Sequence, residues 1–403
     1  MKTTLEIVRA GAGSGKTTDL CETVAVAVLG GLDASRILAT TFTNKAAAEL
    51  KGRIQARLLA GLDGDTAVAH RQADRLDLAA IGTIHSVAHR LLSRYAISLG
   101  LSPRLKVLTQ VSQAQALGDL LGAMPLNDWQ KLTVSAERLA VTDLQERILK
   151  LLSAKRGNRI SDELFRQQMR ASADRVCTLL APEGAATTAD PVDHLLRLVE
   201  DALVNIEKLP NDTTGVTKTA CQQLRRLKAQ PKPTWSSYLQ AKKLAAGKKS
   251  GADGMLDMLR THAGQIRLNP GLHADVRDFA ACLADQTIWL GSQFDEYKTT
   301  RGLVDFTDLE ILFLELLENA DLAASLSEDF DLILVDEFQD TNPLQLAIFQ
   351  RLRQLAPRSR WVGDPKQAIY GFRETDPDLI NDVWKTATDA QRKELPEIGR
   401  AHV

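Results

Sequence analysis

A chain of 403 residues is long enough for two or three domains, and its 44% hydrophobic and 25% charged content is that of an ordinary globular protein. The formal net charge of -1 excludes a globally basic binder of polyanions, so any basic surface must be local. Cys21, Cys177, Cys221 and Cys282 lack metal-like or disulfide-like spacing, no apolar run approaches the roughly 18 residues of a membrane span, and the N-terminus has no signal-peptide core; a cytoplasmic protein with no membrane partner is expected.

Short apolar runs alternate with helical patterns at first. LEIVRA, ending at Ala10, is a predicted strand, and a glycine-rich turn follows. KTTDLCETVAVAVLG is a predicted helix stopped by Gly30-Gly31. RILATTF is a second strand, NKAAAELKGRIQARLLAG a helix opened by Asn44, then come a polar loop, a third strand AAIGTI and a third helix from His85. Strands alternating with helices predict a parallel sheet covered on both faces. From about residue 105 to 300 the periodicity is helical; in LLRLVEDALVNIEKL, Leu195, Leu198, Val199, Ala202, Ile206 and Leu209 share one face. Breaks fall at APEGAATTADP, AQPKPTW, AAGKKSGADG and LNPG. The alternation then returns: LEILFLELLENA a helix, DLILVD a strand, PLQLAIFQRLRQLA a helix with Pro343 at its start, SRWVGD a strand. The predicted fold class is therefore α/β, with 1–105 and 301–396 forming one domain and an all-helical insertion, 106–300, between its halves.

AGAGSGKTT, from Ala10 to Thr18, matches a P-loop with alanine in place of the usual first glycine. Gly11, Gly13 and Gly15 let backbone N–H groups turn inward around a polyphosphate, with Ala12 and Ser14 between them. The helix starting near Lys16 points its positive end at the same anion. Lys16 is expected to reach the β/γ-phosphates, Thr17 to ligate Mg²⁺, and Thr18 to complete the loop. Such a site needs a carboxylate from a second strand end. LILV runs into Asp336 and Glu337, so Asp336 is expected to hold the metal through water, and Glu337 to orient the attacking water and take its proton. Lys16 and Asp336 are expected at neighbouring strand tips.

These motifs, with TTFTNKAAAEL, GTIHS, DEFQDTN and VGDPKQAIYGFR in that order, resemble superfamily 1 DNA helicases of the UvrD/Rep type, including the RecB and AddA branch. The resemblance implies a RecA-like P-loop NTPase domain, ATP with Mg²⁺ as cofactors, and 3′→5′ movement on single-stranded DNA toward a single-strand/duplex junction. It implies that Gln367 touches the γ-phosphate, and that Gln339 and Asp340 link the nucleotide site to DNA-facing loops. Tyr370 and Phe372 are expected to stack on bases, with Arg373 on a phosphate or acid. Phe42 is a second stacking candidate, and Thr41, Asn44 and Lys45 are candidates for the DNA backbone. Two readings stand for Phe42, base stacking or the end of a core strand, and two for His85, a phosphate donor or a helix-start residue. Asp305, Phe306 and Asp308 are sufficiently explained as a helix cap.

Thr213–Gly251 carries nine Lys or Arg and no acid, interrupted by Trp235 and Tyr238. It reads either as a nucleic-acid surface facing duplex or as a solvated face paired with acids elsewhere. Two features depart from the family pattern. No glutamine stands before the P-loop to read adenine, which leaves base selectivity open. The chain ends about 30 residues past GDPKQAIYGFR, so a second RecA-like domain, with its arginines for the γ-phosphate, is expected to be missing or supplied by a partner, and turnover is expected to be very slow. The tail EIGRAHV is what a common sequencing adapter would encode in frame, so 397–403 are read as non-native. The leading expectation is the N-terminal motor half of a helicase; the alternatives are a P-loop ATPase unrelated to DNA and an ATP-gated DNA-binding subunit.

Overall fold

The computed structural model describes residues 3–11, 14–60, 66–181, 192–209, 214–230, 233–367 and 377–395. Ala12, Gly13, Tyr370, Phe372, Arg373 and the tail 397–403 lie outside the described residues. The chain divides into two compact units, one of Met1–Gln113, Arg156–Arg159 and Glu296–Val403, the other of Ala114–Lys155 and Ile160–Asp295.

The first unit is built on strands β1 (Thr4–Ala10), β2 (Ile37–Thr41), β3 (Ala80–Thr83), β6 (Leu332–Val335), β7 (Arg358–Gly363) and β8 (Arg392–Leu395), with a separate pair, β4 (Lys106–Val107) and β5 (Leu303–Val304). The main sheet has the order β3-β2-β6-β7-β1-β8, and every pairing in it is parallel. Successive side chains point to opposite faces. Leu5, Ile7, Leu38, Ile333, Val335 and Trp361 join one core, under helices Ile84–Tyr95, Phe306–Glu318 and Pro343–Leu355. Val8, Ala10, Ile37, Ala39, Leu332, Leu334 and Val362 join the other, under helices Lys16–Leu29 and Asn44–Leu59. Burial on both faces is why β6 reads as a continuous apolar run, and β2 is buried throughout although it ends in two threonines. No helix among the described residues is long and apolar enough to cross a membrane.

Three elements differ from expectation. The polar loop before β3 contains a helix, Thr66–Arg75. Its buried residues include Ala69 and Ala73, with Leu76 buried just past its end, and alanines at that spacing give a faint hydrophobic signal among polar neighbours. The edge strand β8 pairs with β1 from Ile7↔Arg392 to Ala10↔Leu395, although its sequence RKEL has no apolar face. Lastly, β1 and β6 are not neighbours, because β7 stands between them. The short crossover through helix Pro343–Leu355 returns β7 beside β6, filling the place next to β1.

In the second unit every described regular element is helical, and two hydrophobic clusters hold it. Leu195, Leu198, Val199, Ala202 and Ile206 are buried as the periodicity predicts. Trp235 and Tyr238 are also buried in that cluster, and Trp235 Nε1 donates to Asp275 Oδ2 at 2.6 Å. Their placement corrects the view of them as rings interleaved in a nucleic-acid surface. They fall on the apolar stripe of helix Trp235–Lys243, and the lysines fall off it.

Within the first unit, β4 and β5 pair in parallel where the chain departs and returns. Just beyond β5, Asp305 caps helix Phe306–Glu318: its Oδ1 accepts from Asp308 N at 2.8 Å, and Asp308 Oδ2 accepts from Asp305 N at 2.9 Å. The cap reading therefore holds, with an addition. Asp305 is fully buried and takes Arg156 at 2.8 Å and Lys298 at 3.4 Å; Lys298 also reaches Asp308 at 2.7 Å. Burial alone would raise the Asp305 carboxyl, but the Arg156 hydrogen bond and the two cations outweigh it and hold it below its ordinary value. This stabilisation is complete above the unfolded-state value of 3.8 and is lost as pH falls through the depressed one. Replacing Lys298 by Met strands buried negative charge, so urea denaturation at pH 7 should show a loss of about 3–5 kcal/mol; a loss below about 1 kcal/mol would contradict a buried network.

Candidate active site at the strand tips

Because all six strands of the sheet run the same way, their C-terminal ends share one edge, where open α/β sheets bind ligands. Ala10, Thr41, Thr83, Val335 and Gly363 are the last residues of five of them. The segments predicted to carry chemistry all start there.

At the end of β1, Gly11 O accepts from Ser14 N at 3.2 Å. Gly15 caps the next helix with φ +81°, a left-handed conformation that favours glycine. Lys16 opens the helix with its side chain largely covered, Thr17 is half-buried and Thr18 exposed. Ser14 Oγ is buried and bonded to none of the described residues. A turn, a helix N-terminus and an unused buried hydroxyl are the features of an oxyanion cradle.

Lys16 Nζ donates to Glu337 Oε2 at 3.0 Å and to Gln367 Oε1 at 3.4 Å. One cation thus joins the turns after β1, β6 and β7, and its long side chain spans the strand that intervenes. Gln339 Nε2 donates to the same Glu337 oxygen at 2.7 Å, while Gln339 Oε1 accepts from Asp364 N at 2.9 Å. Asp364 Oδ2 accepts from Gln367 Nε2 at 2.6 Å. Asp364, an acid placed after β7 as Asp336 is after β6, is a member that sequence reasoning missed; the signal was the parallel form of VGDP and LVDE. Glu337 is non-glycine at φ 51°, which costs about 1–2 kcal/mol. That backbone turns its side chain toward Lys16 immediately after a straight strand.

Asp336 N donates to Thr40 O at 2.9 Å, pinning the acid between β6 and β2. Burial, then the neighbouring charge of Glu337, pushes the Asp336 carboxyl up to about 6. Such a site favours an added cation. Among the described residues no cluster of three or more His, Cys, Asp or Glu could cage a metal. A hydroxyl from Thr17 and one carboxylate fit Mg²⁺, which keeps waters and takes phosphate oxygens. Without metal, Asp336 holds its proton in the native state between about pH 4 and 6, so its contribution falls as pH rises through that window. Asp336→Asn should therefore gain up to about 3 kcal/mol over wild type at pH 7 and almost nothing at pH 4 in metal-free urea melts. Equal stabilities at both pH values would refute the shift.

The remaining expected residues lie at the same edge with different exposures. Thr41 is buried and its hydroxyl donates to Thr43 O at 3.1 Å. Phe42 is half-buried and belongs to neither core of the unit. Asn44 and Lys45 are exposed on the first turn of helix Asn44–Leu59, which Thr43 caps. His85 follows the cap Thr83; its Nε2 lies 3.1 Å from Glu310 Oε1, so one ring nitrogen is engaged. Gly82 has no room for a side chain, since a Cβ would meet Ser86 Oγ at 2.2 Å.

The sequence matches the family described as UvrD/REP helicase N-terminal domain over residues 2–388. Curated relatives, each named as a subunit of an ATP-dependent helicase/nuclease, include those of Geobacillus thermodenitrificans (28% identical over 95% of this chain and 35% of the relative) and Latilactobacillus sakei (26%, 96% and 50%). That of Oenococcus oeni is 26% identical over 97% of this chain and 37% of the relative. The chain thus spans between about a third and a half of the length of these relatives. The P-loop cradle and acid pair on one edge of a parallel sheet, with the match over nearly the whole chain, make it a member of the UvrD/REP helicase N-terminal domain family, with a RecA-like P-loop fold.

Proposed function

We propose that this chain is the N-terminal motor portion of a DNA helicase that moves 3′→5′ along single-stranded DNA, driven by ATP hydrolysis. The observation that carries the reading is Lys16 Nζ held at 3.0 Å from Glu337 and 3.4 Å from Gln367. A triphosphate in the Ala10–Thr18 cradle competes for Lys16 and releases both partners. Glu337, still held by Gln339, can then orient the attacking water and accept its proton, and Gln367 can report on the γ-phosphate without titrating. Thr17 and, through water, Asp336 would hold Mg²⁺, which when bound neutralises phosphate charge. We assign 1–105 and 301–396 to the RecA-like domain and 106–300 to the inserted helical domain. A second RecA-like domain, from further chain or a partner, would complete the ATP site; the word "subunit" in the relatives' name supports a protein partner.

Thr41, Phe42, Asn44, Lys45 and His85 are proposed to face single-stranded DNA. In the second unit Lys242, Lys243, Lys248 and Lys249 are exposed, and Gly247 N donates to Thr217 Oγ1 at 2.8 Å, drawing their loop against helix Gly215–Lys228. Arg225 and Lys228 of that helix are paired with Glu207 and Glu200. The four lysines are proposed to face the duplex side of a junction.

Lys16→Ala should weaken Mg–ATP binding more than about tenfold, and Glu337→Gln should keep binding but lower single-stranded-DNA-dependent turnover by about 10²–10⁴. Unimpaired turnover by Glu337→Gln would reject the base assignment. With a second RecA-like domain supplied, streptavidin placed at the 5′ end of an oligonucleotide should be displaced and at the 3′ end not; the reverse pattern would overturn the polarity. Reversing the charge of all four lysines should flatten the salt dependence of junction binding, by up to about 0.9 in slope for each phosphate no longer neutralised; an unchanged slope removes them from the interface.

A further inference from the structure

We propose that Glu310 is a positioning residue that sets the orientation of His85 at the strand-tip edge and ties it to the segment following the acid pair. The inference rests on the reading that this edge faces single-stranded DNA.

Glu310 sits in the apolar run LEILF on helix Phe306–Glu318, between buried Leu309 and Phe313, and is 5% exposed. A carboxylate in such a place costs several kcal/mol unless donors satisfy it. Among the described residues it pairs with no Lys or Arg. Two side-chain amides take that place, Gln345 Nε2 donating at 2.6 Å and Asn342 Nδ2 at 3.4 Å, and His85 Nε2 lies against the same carboxylate, 3.1 Å from Oε1. An apolar residue would serve the helix's packing without this burden. What the carboxylate adds is the alignment of its donors.

Those donors come from two motifs at the site. Asn342 and Gln345 form the capping box of helix Pro343–Leu355. They stand directly after the turn Phe338–Asp340, whose three side chains are buried and which begins at Glu337. His85 opens the helix after β3 and keeps about a third of its side chain exposed (31%). Its ring also packs on Phe306, one turn before Glu310, with centroids 4.8 Å apart. Ring plane and Nε2 are thus both fixed by one helix. With Nε2 lying against Glu310, Nδ1 is the ring's remaining polar atom for a ligand. The GTIHS segment and the segment after DEFQD therefore meet on one carboxylate.

The test is a double-mutant cycle on the 403-residue chain, using equilibrium binding of a fluorescent oligothymidylate by wild type, His85→Ala, Glu310→Gln and the double variant. Each single change should weaken binding about five- to tenfold, and the double variant should be no weaker than His85→Ala alone. Additive losses would overturn the inference, since a residue acting only on stability weakens both backgrounds alike. A loss with His85→Ala but none with Glu310→Gln would also overturn it and leave the DNA reading standing. No loss with His85→Ala would refute the DNA-facing role of this residue and the inference with it. Wild-type protein supplies a measurement that needs no folded Glu310 variant: histidine-selective ¹⁵N spectra, with His85→Ala identifying the resonance. A fixed Nε2–H tautomer is expected, and a Nδ1–H tautomer or averaged signals would overturn the assignment.

Discussion

Lys16 and Glu337 are 321 positions apart in the chain and 3.0 Å apart in space. That pairing requires two strands with most of the chain between them to end at the same level of one sheet. A parallel sheet provides this without special design, because every crossover returns the chain to the starting edge and each C-terminal tip faces the same way. The cores above and below then fix the register. β1 pairs with β7 from Thr4↔Arg358 to Arg9↔Gly363, and β6 with β7 from Leu332↔Arg358 to Val335↔Trp361. A slip of one residue would send Ile7 and Val8, or Ile333 and Leu334, to the wrong cores. The site's precision is thus inherited from the alternation of apolar side chains well below it.

Charge is handled in two ways within the first unit. Asp305 and Asp308 meet Arg156 and Lys298, two acids against two bases, in a burial where removing one member is costly. At the strand tips the balance is unequal. Of Asp336, Glu337 and Asp364, Lys16 bonds Glu337, and amide N–H groups donate to all three. Gln339 and Gln367 satisfy lone pairs without contributing charge, so the Asp336 carboxyl is raised first by its burial and then by the charge of Glu337. A closed cluster of balanced ions holds a fold together, whereas an acid-rich cluster held by amides stays receptive to a cation brought with a ligand.

Much of this was legible in the sequence for a physical reason. A strand, a glycine turn and a helix in immediate succession constrain one another, so AGAGSGKTT could be placed on a strand tip from local pattern alone, and the same holds for LILV before Asp336. What was not legible depends on partners distant in the chain. The insertion of β7 between β1 and β6 is a matter of pairing order, which no local periodicity encodes. Helix Thr66–Arg75 buries alanines whose small side chains barely mark a face. Trp235 and Tyr238 were read by the charge of their neighbours, when their own spacing put them on a stripe with Ala241.

Glu310 and Asp364 show where a sequence signal existed and was passed over. Each is an acid where the surrounding pattern calls for an apolar or neutral residue, one inside LEILF and the other at the end of SRWVG. Burial removes the hydration that makes a surface carboxylate cheap to keep, so an acid held in the interior must be answered by donors. Asp364 is answered within its own turn, by Lys366 N and Gln367 Nε2, while its N–H reaches Gln339 of the preceding motif; Glu310 is answered from another segment, by Asn342 and Gln345, with His85 Nε2 3.1 Å away. A charged residue interrupting a predicted buried face therefore marks a point where separate motifs are fastened together. The three acids of DEFQD and these two belong to one system of fixed acceptors around which the loops of the strand-tip edge are arranged.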